Sequence, residues 1–312
     1  MKMISLWSFA AVMCCVTFVT ASQTKNKPVK QPIIVTEKKA VSETKSIFDK
    51  RAESSKKVVS NAFAISQHRR NYILPVTYVS RPNTVVIDLL NSDNVDPIEA
   101  KYQISVKLPL YIEQDSASGL YLGFTAKSYW QVYNSDTSKP FRATDYEPEI
   151  YYTWDNELSI LGFKFNQLQV GFNHQSNGRS NELSRSWNRL YASALFSDDS
   201  SFYYVKTWYR IPEDEKETPQ SIDGDDNPDI TRYLGNFEFG YGINWNQFNI
   251  VTSLRNNLKT SDNKGSIELN ITYPLTDNYD VLLQYFNGYG DSLIDYNRHQ
   301  QRIGLGIQLK FL

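Results

Sequence analysis

The sequence predicts an all-β protein: a transmembrane antiparallel β-barrel of about twelve strands. Three observations carry this. From Asn71 onward, short segments alternate apolar and polar residues with period two and are separated by turn residues. The first residues have the pattern of an export signal. Beyond them there is no run of about 18 apolar residues, so a bilayer would have to be crossed by strands. A mean hydropathy of −0.47 excludes a polytopic helical protein but not a barrel, whose strands hide half their residues in a polar interior. The formal net charge of −1 gives no basic domain of the kind that binds nucleic acid.

In chain order, Lys2, the apolar run 6–19 and the small-residue stretch Val19, Thr20, Ala21 form the expected signal over residues 1–21. The mature chain is expected to begin near Ser22. Cys14 and Cys15 both fall inside the signal, so the mature protein would have no disulfide and no thiolate chemistry. Residues 22–65 are lysine-rich and polar with few aromatics, as in a flexible tail.

Residues 66–312 form the expected barrel. Its strands begin near Tyr72, Tyr102, Leu120, Tyr146, Gly162, Trp187, Phe202, Tyr233, Phe248, Ser266, Tyr279 and Gln301. In the second of these, Tyr102, Ile104, Val106, Leu108 and Leu110 face one way, and Lys101, Gln103, Ser105 and Lys107 the other. In the last, Ile303, Leu305, Ile307, Leu309 and Phe311 oppose Arg302, Gly304, Gly306, Gln308 and Lys310. A soluble β-sandwich would need shorter strands. An even count of roughly ten-residue strands, with Lys, Glu, Gln and Arg on one face, fits a narrow polar lumen and a closed ring.

One strand breaks the pattern. In "NQLQVGFNHQS", Leu168, Val170 and Phe172 share a face with His174 and Ser176, so two polar residues continue the lipid-facing set. In the next strand Asn188 lies on the same face as Leu190, Ala192, Ala194 and Phe196. The connecting stretch "NGRSNELSRS" brings these strand ends together. Polar groups facing hydrocarbon are costly and ask for a function. A serine nucleophile, an imidazole base and an amide that orients the imidazole would be one. Spacing alone leaves open that His174 and Ser176 only mark the watery rim of a passive pore or receptor.

The stretch "FNHQSNGRSNELSRSWNRLY" closely resembles the active-site signature of the outer membrane phospholipase A family. The likeness extends to "NYILPVTY", "KSYWQVYNSDTSKPFRATDYEPEI", "DDNPDITRYLG" and "GYGDSLIDYN", and spans roughly residues 70–312. The resemblance implies an outer-membrane enzyme of Gram-negative bacteria that hydrolyses acyl esters of phospholipids. It implies Ser176 as nucleophile, His174 as base, Asn188 as the residue orienting His174, and the Gly178 backbone N–H as an oxyanion donor. It further implies calcium, held by Arg179 through its carbonyl, Ser184 and Asp226, with Ser138 contributed from a second subunit of an active homodimer. Oxygen ligands of this kind suit calcium. The chain departs from the family at Ala126, where a polar interface residue is usual, at Asn181, where an acidic residue is usual, and at its C-terminus, where Leu312 follows Phe311. A barrel hydrolase acting on lipopolysaccharide acyl chains is the other enzyme such a serine and histidine would serve.

Overall fold

A computed structural model describes residues 65–83, 95–114, 116–136, 138–160, 163–198, 200–218, 221 and 223–310. The expected signal 1–21, nearly all of the tail 22–65, the terminal pair Phe311 and Leu312, and the Asn181 side chain lie outside the described residues.

A two-residue strand, β1 (Ser66–Gln67), precedes twelve longer ones. These are β2 (Tyr72–Val79), β3 (Ile98–Ile112), β4 (Gly119–Trp130), β5 (Phe141–Ile160), β6 (Phe163–Ser176) and β7 (Ser186–Ser197). They continue as β8 (Ser201–Ile211), β9 (Phe237–Trp245), β10 (Phe248–Asn256), β11 (Gly265–Pro274), β12 (Tyr279–Gly288) and β13 (Gln300–Leu309). From β2 to β13 each strand pairs antiparallel with the next, and β13 pairs back onto β2. The ring is closed and leaves no free edge for another chain to extend. β1 pairs with β3 at Val106 and Lys107, beyond the reach of β2.

The alternation read from the sequence sets the two faces. Along β3, Lys101 and Ser105 are fully buried, while Ile104 is 54% exposed. Along β13, Arg302 is buried between the exposed Gln301 and Ile303. Apolar side chains therefore form the outer wall, and the lumen holds polar side chains together with a buried aromatic cluster that includes Tyr151, Trp187, Tyr191 and Trp208.

Two expectations need correcting. β3, β5 and β6 run for 15, 20 and 14 residues, longer than the expected ten or so. The segment at Tyr233 is not the start of a strand, because Ile230–Leu234 form a one-turn helix, α1, and β9 begins at Phe237. Ile230 and Leu234, four apart, are both buried by a helical turn, and Gly235 ends it at φ 67°, where an L side chain is strained.

Connections alternate in length. Those following β4, β6, β8, β10 and β12 cover 131–140, 177–185, 212–236, 257–264 and 289–299, whereas β9 and β10 are joined at the other end by two residues, 246–247. Long loops thus gather at one rim.

The lumen is packed with ion pairs. Glu99 meets Arg142 at 2.9 Å and Arg302 at 2.9 Å, and accepts a hydrogen bond from Gln131 Nε2 at 2.9 Å. Arg142 also pairs with Asp295 at 2.7 Å, and Arg302 with Asp291 at 2.6 Å. Asp291 and Asp295 belong to the 289–299 loop, so this loop is drawn into the barrel by strand-borne cations.

Candidate active site

The register of β6 and β7 sets His174 directly opposite Asn188, and Ser176 opposite Ser186. His174 Nδ1 lies 2.8 Å from Asn188 Oδ1. Ser176 is two residues along the same strand and therefore on the same face. That face is the outer one. Leu168 and Val170 are exposed along β6, and Leu190 is 51% exposed on β7, whereas Asn173 is fully buried and Arg189 nearly so. All three polar residues are half-buried on the wall.

No hydrogen bond joins His174 to Ser176 among the described contacts. Ser176 Oγ instead accepts one from the Gly178 backbone N–H at 3.1 Å. A serine hydroxyl bonded to the amide two residues on is a local turn, and Gly178 completes it at φ 62°. A Cβ there would meet the Tyr146 ring at 3.1 Å, and Tyr146 is the cross-strand partner of Ser176. The amide is thus aimed at the Ser176 hydroxyl from a position that suits glycine.

The wall is backed from inside. Asn173, next to His174, donates to Glu147 Oε1 at 2.7 Å and accepts from Arg189 Nε at 3.0 Å. Arg189, next to Asn188, pairs with Glu147 at 3.0 Å, and Arg69 with the same carboxylate at 2.7 Å. These luminal bonds fix the backbone of β6 and β7, and with it the aim of the outward side chains.

The loop 177–185 is organised by Asn177, which sequence reasoning missed. Its Oδ1 accepts from the Arg185 N–H at 2.9 Å and the Arg179 N–H at 3.2 Å, and its Nδ2 donates to the Leu183 carbonyl at 2.8 Å. Ser184 Oγ then donates to Asp226 Oδ2 at 2.6 Å. Ser186, also missed, donates to the same oxygen at 3.1 Å. Asp226 is pinned by both neighbours, Asp225 pairing with Arg210 at 2.5 Å and Asn227 Oδ1 accepting the Ser186 N–H at 3.0 Å. Beside this loop Tyr296 donates to Asp229 at 2.6 Å, and its burial, then that carboxylate, push the phenol well up.

The oxygen donors expected to hold calcium are therefore partly together. Ser184 and Asp226 touch, and Arg179 is fixed two residues beyond Asn177. Ser138 stands apart. It is exposed in the 131–140 loop at φ 55° and makes no recorded bond to Ser184 or Asp226 within one chain. Arg179 Nη2 donates to the Phe141 carbonyl at 3.2 Å, which ties the 177–185 loop to the start of β5 just after the 131–140 loop. Two hydroxyls and a carboxylate are hard donors of the type calcium takes, and the Lys216 ammonium, 2.5 Å from Asp226 Oδ1, already places a cation at that carboxylate. The donor set fits the ion.

Similarity to known proteins agrees with this geometry. A family model described as Phospholipase A1 matches residues 48–309. The phospholipase A1 of Proteus vulgaris is 36% identical over 256 residues, covering 81% of this chain and 83% of that protein. The structure of outer membrane phospholipase A from Escherichia coli, 34% identical, superposes with a TM-score of 0.72 over 80% of this chain and 100% of that one. A Salmonella typhi outer membrane phospholipase, described as a dimer with bound calcium, is 35% identical with a TM-score of 0.72, covering 80% and 93%. A further Escherichia coli structure, of an active-site mutant with an asparagine replaced by alanine, is 34% identical with a TM-score of 0.71, covering 80% and 93%.

Proposed function

Because the chain belongs to the phospholipase A1 family and is an outer-membrane β-barrel enzyme of that kind, we propose that it hydrolyses phospholipid acyl esters through Ser176, His174 and Asn188, with calcium, in a dimer. The observation that carries this is the His174–Asn188 hydrogen bond on the lipid-facing wall, with Ser176 on the same face two residues away. An active-site asparagine in a similar enzyme supports the role given to Asn188. Residues 1–21 act as the export signal on this reading.

Ser176 Oγ attacks the ester carbonyl carbon while His174 Nε2 takes its proton. Collapse of the tetrahedral intermediate breaks the bond to the glycerol oxygen, which leaves as a lysophospholipid with the proton from His174. The acyl chain stays on Ser176 until a water, deprotonated by the same imidazole, releases it as a fatty acid. The Gly178 N–H serves the negative oxygen that forms in each step. His174 Nδ1–H donates to Asn188 Oδ1 throughout, which fixes the ring and leaves Nε2 free to accept.

Arg179, Ser184 and Asp226 would hold calcium together with Ser138 of the partner subunit. The ion, when bound, would supply positive charge that favours the negative oxygen formed in each step. A site with one carboxylate is weak in a single chain, so calcium and dimerisation are expected to strengthen one another. In mixed micelles, fatty-acid release and the cross-linked dimer should rise together with calcium and fall together in excess chelator. Full activity of a monomer in chelator would refute the calcium and dimer parts.

Lys216 is expected to oppose calcium, since its ammonium sits on the carboxylate the ion needs. Lys216→Met should tighten calcium binding about fivefold, the equivalent of an ion pair of about 1 kcal/mol. Calorimetric titration checks this, and an unchanged dissociation constant would show that the lysine does not compete.

A further inference from the structure

We propose that Glu213 is a positioning residue that acts through Asn188 to set the tautomer and the orientation of His174; this rests on the triad described above. Asn188 Nδ2 donates to Glu213 Oε1 at 2.9 Å, while Asn188 Oδ1 faces His174 Nδ1 at 2.8 Å. The position follows from the register. Asn188 is paired with Ile211, the last residue of β8, and Glu213 is two residues further on. Continued past the end of β8, the outward alternation of Tyr209 and Ile211 leads to Glu213, whose carboxylate lies beside Asn188. His174, Asn188 and Glu213 thus form a row that runs from β6 across β7 to the start of the loop that follows β8.

The chemistry of each group gives the row a direction. A carboxylate only accepts, so the amide edge turned toward it must be the NH₂. The carbonyl edge is then turned to His174 and accepts, so Nδ1 must carry the hydrogen and Nε2 is left with its lone pair toward the serine side. Without Glu213 the asparagine amide has two orientations open to it, and one of them presents NH₂ to the imidazole and selects the tautomer that cannot take the serine proton. The carboxylate also polarises the amide, in the sense that stabilises the imidazolium formed during attack. It restores through one intervening amide part of the negative charge that an aspartate would provide directly.

The test uses full-length protein in mixed micelles with saturating calcium. Glu213→Gln and Glu213→Ala are each expected to lower kcat about tenfold or more, with KM within about twofold, at the low end of the loss seen when the outer hydrogen-bond partner of a metal-ligating histidine is removed. Thermal unfolding and calcium affinity should not move. In an Asn188→Ala background, Glu213→Gln should have no further effect, because its action runs through Asn188. Both variants keeping kcat within twofold of the parent, or the full loss persisting in the Asn188→Ala background, would overturn the proposal. The two readings separate cleanly: if Asn188→Ala costs activity and neither Glu213 variant does, only the role of Glu213 fails. If Asn188→Ala itself is without effect, the triad fails and this inference goes with it.

Discussion

Ser176→Ala is expected to lower fatty-acid release by at least about 10⁴-fold, to the level of the lipid without enzyme, because on the proposed mechanism its hydroxyl is the group that takes the acyl chain. The loss should appear in kcat. The protein itself should be unharmed: Ser176 is half-buried at the end of β6, and its hydroxyl accepts a single recorded bond, from Gly178. Barrel stability, calcium affinity and dimer population are therefore expected to match the parent, which makes the activity measurement interpretable. Release at the parent rate by this variant would end the serine mechanism.

Glu99→Ala is expected to have the largest effect on stability. The carboxylate is fully buried between Arg142 and Arg302, whose side chains are each 1% exposed. Removing it leaves two buried guanidiniums facing each other. Breaking a buried pair costs about 3–5 kcal/mol, and the low end applies here because Arg142 keeps Asp295 and Arg302 keeps Asp291. Denaturant unfolding in detergent reads this directly. As a contrast, the exposed pair of Arg232 and Asp262 lies in solvent at the loop rim, and its removal should leave the midpoint where it was. Equal effects at the two sites would mean that the luminal network does not hold the barrel together.

Much of this was legible in the sequence because period two is a strong signal. In strands such as β3, β6, β11 and β13 alternation shows which residues face lipid, and the opening residues of β4, β10, β11 and β12 fall within one position of their expected places. The helix at 230–234 was missed because "ITRYLG" sits against a strand of the same aromatic character, and only tertiary burial of Ile230 and Leu234 decides its shape. Alternation also says that Glu99, Arg142 and Arg302 point inward, yet not that they meet. Those partners lie 43 or more residues apart, and closure of the ring brings them together.

The same division applies at the site. His174, Ser176 and Asn188 were readable from face and hairpin logic, since their distances are set by one local register. Ser184 was tied to Asp226 only by resemblance, and the contact spans 42 positions. Glu213 carried a signal that went unused. Counting outward positions along β8 past Ile211 reaches it, but the strand stops at Ile211, before Pro212, and the residues beyond look like a solvated acidic turn.

The gathering of long loops at one rim has a consequence for whole membranes. The hairpin 177–185 and the loop 212–236 both belong to that rim, so on the proposed function His174, Ser176 and Asn188 would meet the acyl esters of a single leaflet. A vesicle carrying barrels inserted in one orientation should lose the phospholipid of that leaflet and then stall, with half its lipid intact, until molecules flip across. The rate of transverse exchange, and not the enzyme, would then govern how completely such a vesicle is consumed.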